Sequence, residues 1–155
     1  MIIRFLSLAI FTLIINGCDA PNEPLPYPLT ISEEGLGSIH HNTPFDQVSS
    51  SLSGFTFEKL SQISPDQNQI IFQMKRGKSS IADIVSDPSG KKIAEIQVVS
   101  PLVKNKYAQG IGDTLPLSKT LQCDDDLCHN ENEPSVHYRI DRNTRTIKEI
   151  TFSRL

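Results

Sequence analysis

Alternation of apolar and polar residues with a period of two is the feature that most constrains how this chain folds. It recurs in six segments, residues 55–60, 69–75, 80–86, 91–99, 135–140 and 146–152. Successive side chains of a strand point to opposite faces, so each segment predicts a strand with one face in a core. Turn-forming residues at Asp87–Gly90 and at 141–144 separate neighbouring segments, which predicts hairpins of an antiparallel sheet.

Two short helices are predicted beside that sheet. Thr43 can cap a helix that runs from Pro44 to Ser53, with proline at its first position. A second, shorter helical turn is predicted at residues 116–121. Short helices on an antiparallel sheet give an α+β class. Gly35-Leu36-Gly37 and Gly110-Ile111-Gly112 each precede one of these helices, which raises the hypothesis of a degenerate internal duplication.

The first residues predict an export signal and a lipid anchor. Arg4 precedes an apolar run that is shorter than the ~20 residues of a membrane span but fits a secretory signal. The ending Ile15-Asn16-Gly17-Cys18 resembles the lipobox of bacterial lipoproteins. We therefore predict a signal peptide at residues 1–17, acylation of Cys18, a proline-rich tether at 18–28 and one domain at 29–155.

The same reading predicts a location. An acylated Cys18 would hold the chain on a membrane of the bacterial cell envelope, facing the periplasm. Asp19 resembles the signal that retains lipoproteins in the inner membrane of enteric bacteria; other genera read this position differently, so the choice of membrane stays open. The net charge of −3 gives no electrostatic footprint for nucleic acid.

The remaining two cysteines, Cys123 and Cys128, predict a disulfide, because they form an even pair in an oxidising compartment. A metal site with the adjacent His129 is the alternative, although its ligand set would be incomplete for zinc.

A family resemblance joins several of these features. The lipobox, the Gly-Leu-Gly entry with Thr-Pro-Phe at 43–45, Gly-Ile-Gly-Asp at 110–113, the cysteine pair and Ile-x-x-Ile-x-Phe-x-Arg at 147–154 resemble the sigma-E-regulated lipoproteins of proteobacteria. The resemblance runs from about residue 29 to the end of the chain. It implies an envelope lipoprotein of unassigned function, with no known catalytic residues.

Catalytic signatures are missing from the sequence. It contains neither the Gly-x-Ser-x-Gly nucleophile elbow nor the zinc-binding His-Glu-x-x-His pattern. We therefore expect a non-enzymatic binding or envelope-maintenance module without a cofactor, whose partner is an envelope protein or polymer. The alternative is a metal-binding protein or metal-dependent hydrolase that uses three histidines and the acidic loop 124–126, with candidate ligands His40, His41, Asp124, Asp126 and His129.

Overall fold

The computed structural model describes residues 25–60 and 69–154. Within these ranges the chain forms eleven β-strands and one 3₁₀ helix. In chain order they are β1 (Ile31–Ser32), β2 (Gly35–Leu36), β3 (Ile39–His40), the 3₁₀ helix (Phe45–Ser50), β4 (Thr56–Leu60), β5 (Ile71–Arg76), β6 (Ser79–Ser86), β7 (Ile93–Val98), β8 (Leu121–Asp124), β9 (Leu127–Asn130), β10 (Glu133–Ile140) and β11 (Ile147–Ser153).

The described strands form two antiparallel sheets. Strands β1, β2 and β3 make a small sheet, and the other eight make a large sheet in the order β4-β5-β6-β7-β11-β10-β9-β8. The large sheet thus consists of two four-stranded meanders, β4–β7 and β8–β11, which meet where β7 pairs with β11. This pairing joins residues that are distant in sequence, and it makes one continuous sheet of the two halves.

One face of the large sheet builds the core. A single row of directly paired residues crosses all eight strands on this face. Its members in the six inner strands, β5, β6, β7, β11, β10 and β9, are buried. The row contains Phe57, Met74, Ala82, Val98, Ile150, Tyr138, Cys128 and Cys123. The alternation seen in the sequence is therefore the alternation between this face and the opposite one.

The opposite face carries a second row, here called the polar row, at the neighbouring register position. Its members are half-buried or exposed, and every one of them has a polar side chain. They are Glu58, Gln73, Asp83, Gln97, Thr151, His137, His129 and Gln122. The large sheet is therefore apolar on one face and polar on the other, as expected of an antiparallel sheet with one solvated face.

The small sheet and the 3₁₀ helix contribute buried apolar side chains to the same core. Ile31 of β1 lies in this core, and its N–H donates to the carbonyl oxygen of Lys104 at 2.9 Å. Phe45 of the helix stacks on Phe72 of β5 with 5.1 Å between the ring centroids. Gly35 has φ +132°, and a Cβ there would collide with the carbonyl oxygen of Ile39, so the tight small sheet requires glycine at this position.

The predicted α+β class with two short helices is wrong. The described chain is almost entirely antiparallel sheet, and its one helix has six residues in the 3₁₀ conformation. Thr43 does not cap that helix, because its hydroxyl accepts a hydrogen bond from the N–H of His40. The hydroxyls of Ser50 and Ser51 both donate to the carbonyl oxygen of Gln47, which competes with the backbone hydrogen bonds that an α-helix would need.

The second predicted helix, at residues 116–121, is also wrong. Leu115 donates its N–H to the carbonyl oxygen of Arg145, which holds the chain against the start of β11. Pro116 disfavours a helical conformation at the residue before it, so this contact and the local preference agree on an extended segment. The hypothesis of a duplicated loop, helix and hairpin fails with it, because the described second half contains no helix.

The strands predicted from the period-two alternation are confirmed, with small shifts at their ends. The turn at Asp87–Gly90 is present, and the Gly90 N–H donates to the carbonyl oxygen of Asp87 at 2.9 Å. A short strand is also predicted from the sequence at residues 29–32, where β1 lies. The other four short strands, β2, β3, β8 and β9, were not predicted. The predicted signal peptide, Cys18 and residues 18–24 of the tether lie outside the described residues.

Candidate ligand-binding site

A cavity of about 220 Å³ lies at the second meander, on the core side of the large sheet. Loop 105–109 forms one wall and segment 115–121 another, and Glu133 and Tyr138 of β10 are exposed to the cavity from the sheet. Most of its surface is apolar, with Leu115 and Leu121 among the lining side chains. A mostly apolar concavity with a few convergent polar groups is the usual form of a ligand site.

Asn105 gives loop 105–109 its shape. Its side chain is buried, and its Oδ1 accepts hydrogen bonds from the N–H groups of Tyr107 and Gln109, each at 2.9 Å. Its Nδ2 donates to Gln109 Oε1 at 3.0 Å and to the Tyr138 hydroxyl at 3.1 Å. Ala108 completes the loop with φ +61°. Four hydrogen bonds from one amide therefore fix the loop and attach it to the sheet.

Tyr138 offers a hydrogen-bond donor at this cavity. Its hydroxyl oxygen accepts from Asn105, and within the described residues the hydroxyl proton has no acceptor. Burial raises the pKa of the Tyr138 phenol, an effect that the hydrogen bond from Asn105 partly opposes. The phenol is therefore protonated at neutral pH, and its O–H is available to an acceptor on a ligand.

Glu133 places a carboxylate at the same cavity. The residue is 4% exposed, and its Oε2 lies 3.2 Å from the Lys106 ammonium. That contact forms an ion pair, but no described group donates a hydrogen bond of good geometry to Oε2. The contact with Glu133 raises the pKa of Lys106, so the lysine stays charged and balances the buried carboxylate.

A bulge in β10 explains why Glu133 and Tyr138 reach the same cavity. The register between β10 and β9 shifts between Glu133 and His137. Without that shift, strict alternation would place these two residues, five apart, on opposite faces. Both are buried on the core side, whereas His137 lies in the polar row. Alternation in residues 135–140 predicts that Val136, Tyr138 and Ile140 face the core, which is confirmed for Tyr138. No sequence pattern pointed to Glu133, Lys106 or Asn105 as cavity residues.

The histidines predicted as ligands lie in two separate places. His40 is exposed in β3, and the neighbouring His41 contacts Arg154 through Nε2 at 2.8 Å. His129 lies in β9 opposite His137, with 5.9 Å between the ring centroids. In residues 25–60 and 69–154 no three histidine, cysteine, aspartate or glutamate side chains are grouped so that they could hold a metal ion.

The acidic loop is the turn of a hairpin. Asp125 and Asp126 connect β8 to β9, and Asp125 has φ +61°. Asp126 pairs with Arg139 at 3.1 Å, and Asp125 pairs with Arg142. Because arginines already contact both carboxylates, the turn presents less free negative charge than its sequence suggests.

Cys123 and Cys128 form a disulfide across this hairpin. They are directly paired residues of β8 and β9, with a Cα–Cα distance of 4.0 Å. Cys128 is fully buried against the core, whereas Cys123 is exposed on the outermost strand. The disulfide thus ties the edge of the sheet to its buried interior.

Comparisons with known proteins show a fold and no activity. No family model matches the chain, and neither does any curated protein. A solved structure, the crystal structure of the uncharacterized protein YfeY from Escherichia coli, matches with a TM-score of 0.61 at 15% sequence identity. The match covers 81% of this chain and 99% of that one. At this identity the likeness supports a shared fold alone.

None of the helical structure in residues 25–60 and 69–154 is long and apolar enough to cross a bilayer.

Proposed function

We propose that this chain is a lipid-anchored protein of the bacterial cell envelope, faces the periplasm, and acts as a non-enzymatic binding module. The lipobox-like sequence that ends at Cys18 supports the anchor and the location. The cavity beside Glu133 and Tyr138 supports a binding role, because it combines mostly apolar walls with polar groups that include the Glu133 carboxylate and the Tyr138 hydroxyl. The partner is an envelope protein or polymer that inserts a small group into this cavity.

Electrostatics at the cavity favour an uncharged group. The Glu133 carboxylate is already paired with Lys106, so the cavity offers no net charge to neutralise a charged ligand. Burying an unpaired charge there would cost far more than burying a hydrogen-bonded polar group. A ligand group with an apolar part and an adjacent amide or hydroxyl would pack against the apolar walls and hydrogen-bond to Glu133 and Tyr138.

The observation that carries the binding role is a buried tyrosine whose hydroxyl borders a cavity and has no acceptor among the described residues. A ligand acceptor there would form a hydrogen bond with a net contribution of about 0.5–1.5 kcal/mol. In most structural cores such a group is paired. Asn105 meanwhile holds the Tyr138 oxygen in place, so the donor is positioned before a ligand arrives.

The binding role is tested with a variant whose larger side chain fills the cavity. Ser118 lines the cavity, whereas its neighbour Leu117 is 80% exposed and does not. We expect Ser118→Trp to lose partners that the unchanged protein captures from detergent-solubilised envelopes, and Leu117→Trp to keep them. Capture that is equal for both variants and the unchanged protein would refute the cavity as the binding site.

The anchor is tested separately. We expect protein from its native host to have lost residues 1–17 and to carry acyl chains on Cys18, as read from intact mass. Cys18→Ser should leave the chain unacylated and release it from membranes. An unprocessed amino terminus on the unchanged protein would refute the anchor, whatever the cavity variants show.

A further inference from the structure

His129 and His137 form a pair on the polar face of the large sheet, on the side opposite the cavity. They are directly paired residues of β9 and β10. Their rings lie 5.9 Å apart between centroids, with 63° between the ring planes. Both side chains belong to the polar row, and His137 lies at the junction of two shallow surface depressions.

The hydrogen-bond pattern of the strands makes this a close pair. The Ile140 N–H donates to the carbonyl oxygen of Asp126 at 2.8 Å, so the chain before β9 is hydrogen-bonded to β10 at that position. In an antiparallel pair the hydrogen-bonded positions alternate. Between β9 and β10, the Cys128–Tyr138 pair is therefore hydrogen-bonded and the His129–His137 pair is not. Side chains at non-hydrogen-bonded positions lie closest together, within reach of a shared ion.

One ring nitrogen of the pair is left without a partner. The Nδ1 atom of His137 is buried and has no hydrogen-bond partner among the described residues. Neutral imidazole nitrogens are preferred ligands of copper and zinc ions.

Charges of both signs surround the pair. Glu33, whose carboxylate accepts hydrogen bonds from Ser135, lines the same depression as His137. Arg154 lines that depression too, and it lies 3.6 Å from the Glu33 carboxylate. Arg139, two residues along β10, already contacts Asp126 at 3.1 Å and Glu149 at 3.6 Å. The flanking members of the polar row, Gln122 and Thr151, are uncharged.

We propose that His129 and His137 together bind one divalent transition-metal ion, Cu²⁺ more tightly than Zn²⁺, because the two rings face each other across adjacent strands. Copper is expected to bind more tightly because nitrogen sites follow the order in which Cu²⁺ exceeds Zn²⁺. Two protein ligands leave coordination positions for water or for an exchangeable ligand. The site is independent of the proposed cavity function, since it uses the other face of the sheet.

The chain supplies its own controls, because His40 and His41 lie outside the pair. His40 is the cleaner control, since His41 contacts Arg154, which lines the depression beside His137. We would titrate Cu²⁺ and then Zn²⁺ into the full-length protein in detergent by calorimetry. The same titrations would use His129→Ala, His137→Ala, His40→Ala and His41→Ala. We expect one copper site in the unchanged protein, at least tenfold weaker binding in each of the first two variants, and no change in the last two.

Spectroscopy distinguishes a lost ligand from a lost fold. Electron paramagnetic resonance of the Cu²⁺ complex should show two nitrogen ligands in the unchanged protein and at most one in His129→Gln or His137→Gln. Circular dichroism of the same samples should show unchanged strand content. Absence of copper binding, or binding that is lost in His40→Ala or His41→Ala while His137→Ala retains it, would overturn the proposal.

Discussion

The two meanders of the large sheet use the same architecture for different interiors. In the first, β4–β7, the core face meets apolar groups, as in the stack of Phe45 on Phe72. In the second, β8–β11, the core face meets a buried amide, a buried carboxylate and a cavity, through Asn105 and Glu133. Apolar packing depends mainly on volume, whereas buried polar groups need particular partners. We therefore expect substitutions in the first meander to affect mainly stability, and substitutions in the second to affect the proposed binding as well.

The largest effect that tests this difference is expected when a buried side chain is removed from the core of the first meander. Ile84 of β6 is fully buried, so Ile84→Ala should lower the free energy of unfolding by about 2–5 kcal/mol. Leu117→Ala, at a side chain that is 80% exposed, should change it by less than about 0.5 kcal/mol. Urea unfolding measures both. Equal effects would mean that the first meander does not hold the core.

In the second interior, Asn105→Ala should have a smaller effect on stability and a larger one on binding. The substitution removes four hydrogen bonds and leaves the Tyr107 N–H and the Gln109 N–H without their acceptor, at a cost of about 1–3 kcal/mol. Partner capture should fall together with stability. Asn105→Asp keeps the acceptor for the two N–H groups but loses the donor to Tyr138 and buries a second carboxylate at the cavity, so it should restore neither stability nor capture.

The ion pair in the second interior can be examined with a double-mutant cycle. Lys106→Met leaves Glu133 buried without its cation and should destabilise by about 1–2 kcal/mol, less than a fully enclosed pair, because the Lys106 side chain is 43% exposed to solvent. Glu133→Gln in the same background should recover much of that loss. Additive effects in urea unfolding would show that the two side chains are not coupled.

The smallest expected effect is a pH dependence from His137. Partial burial and the neighbouring His129 lower its native pKa, so below the unfolded value near 6.5 the unfolded chain binds the proton more readily than the folded chain. Its contribution to stability is therefore complete above that pH and falls as the pH drops towards the native value. Comparison of unfolding free energies at pH 5.5 and 7.5 should show a smaller difference for His137→Gln than for the unchanged protein.

The sequence predicted the strands that alternate strongly and missed those that do not. Ile93–Val98 repeats apolar residues at every second or third position and was found, whereas β8 and β9 contain few apolar residues. The pairing of β7 with β11 joins distant segments and left no local signal. The helices were misjudged because hydroxyl groups and tertiary contacts, as at Ser51 and Leu115, outweighed the local pattern.

The candidate site was less predictable than the fold. Tyr138 was placed in the core by alternation, but Glu133 reaches the same cavity only through the bulge between Glu133 and His137. A bulge has no distinctive sequence, so the sequence could not show that residues on either side of it change the face of the sheet they occupy. Asn105 lies in a connector, where its four hydrogen bonds depend on the folded positions of Gln109 and Tyr138.

The disulfide has a consequence for where the cavity can be complete. Leu121, at the start of β8, lines the cavity, and Cys123 two residues later is covalently joined to the buried Cys128. In a reducing environment this outermost strand would lose its covalent link to the core, and it would fray more readily. The cavity would then be complete only in an oxidising environment, so oxidation of the cysteine pair would act as a condition on any binding at the cavity.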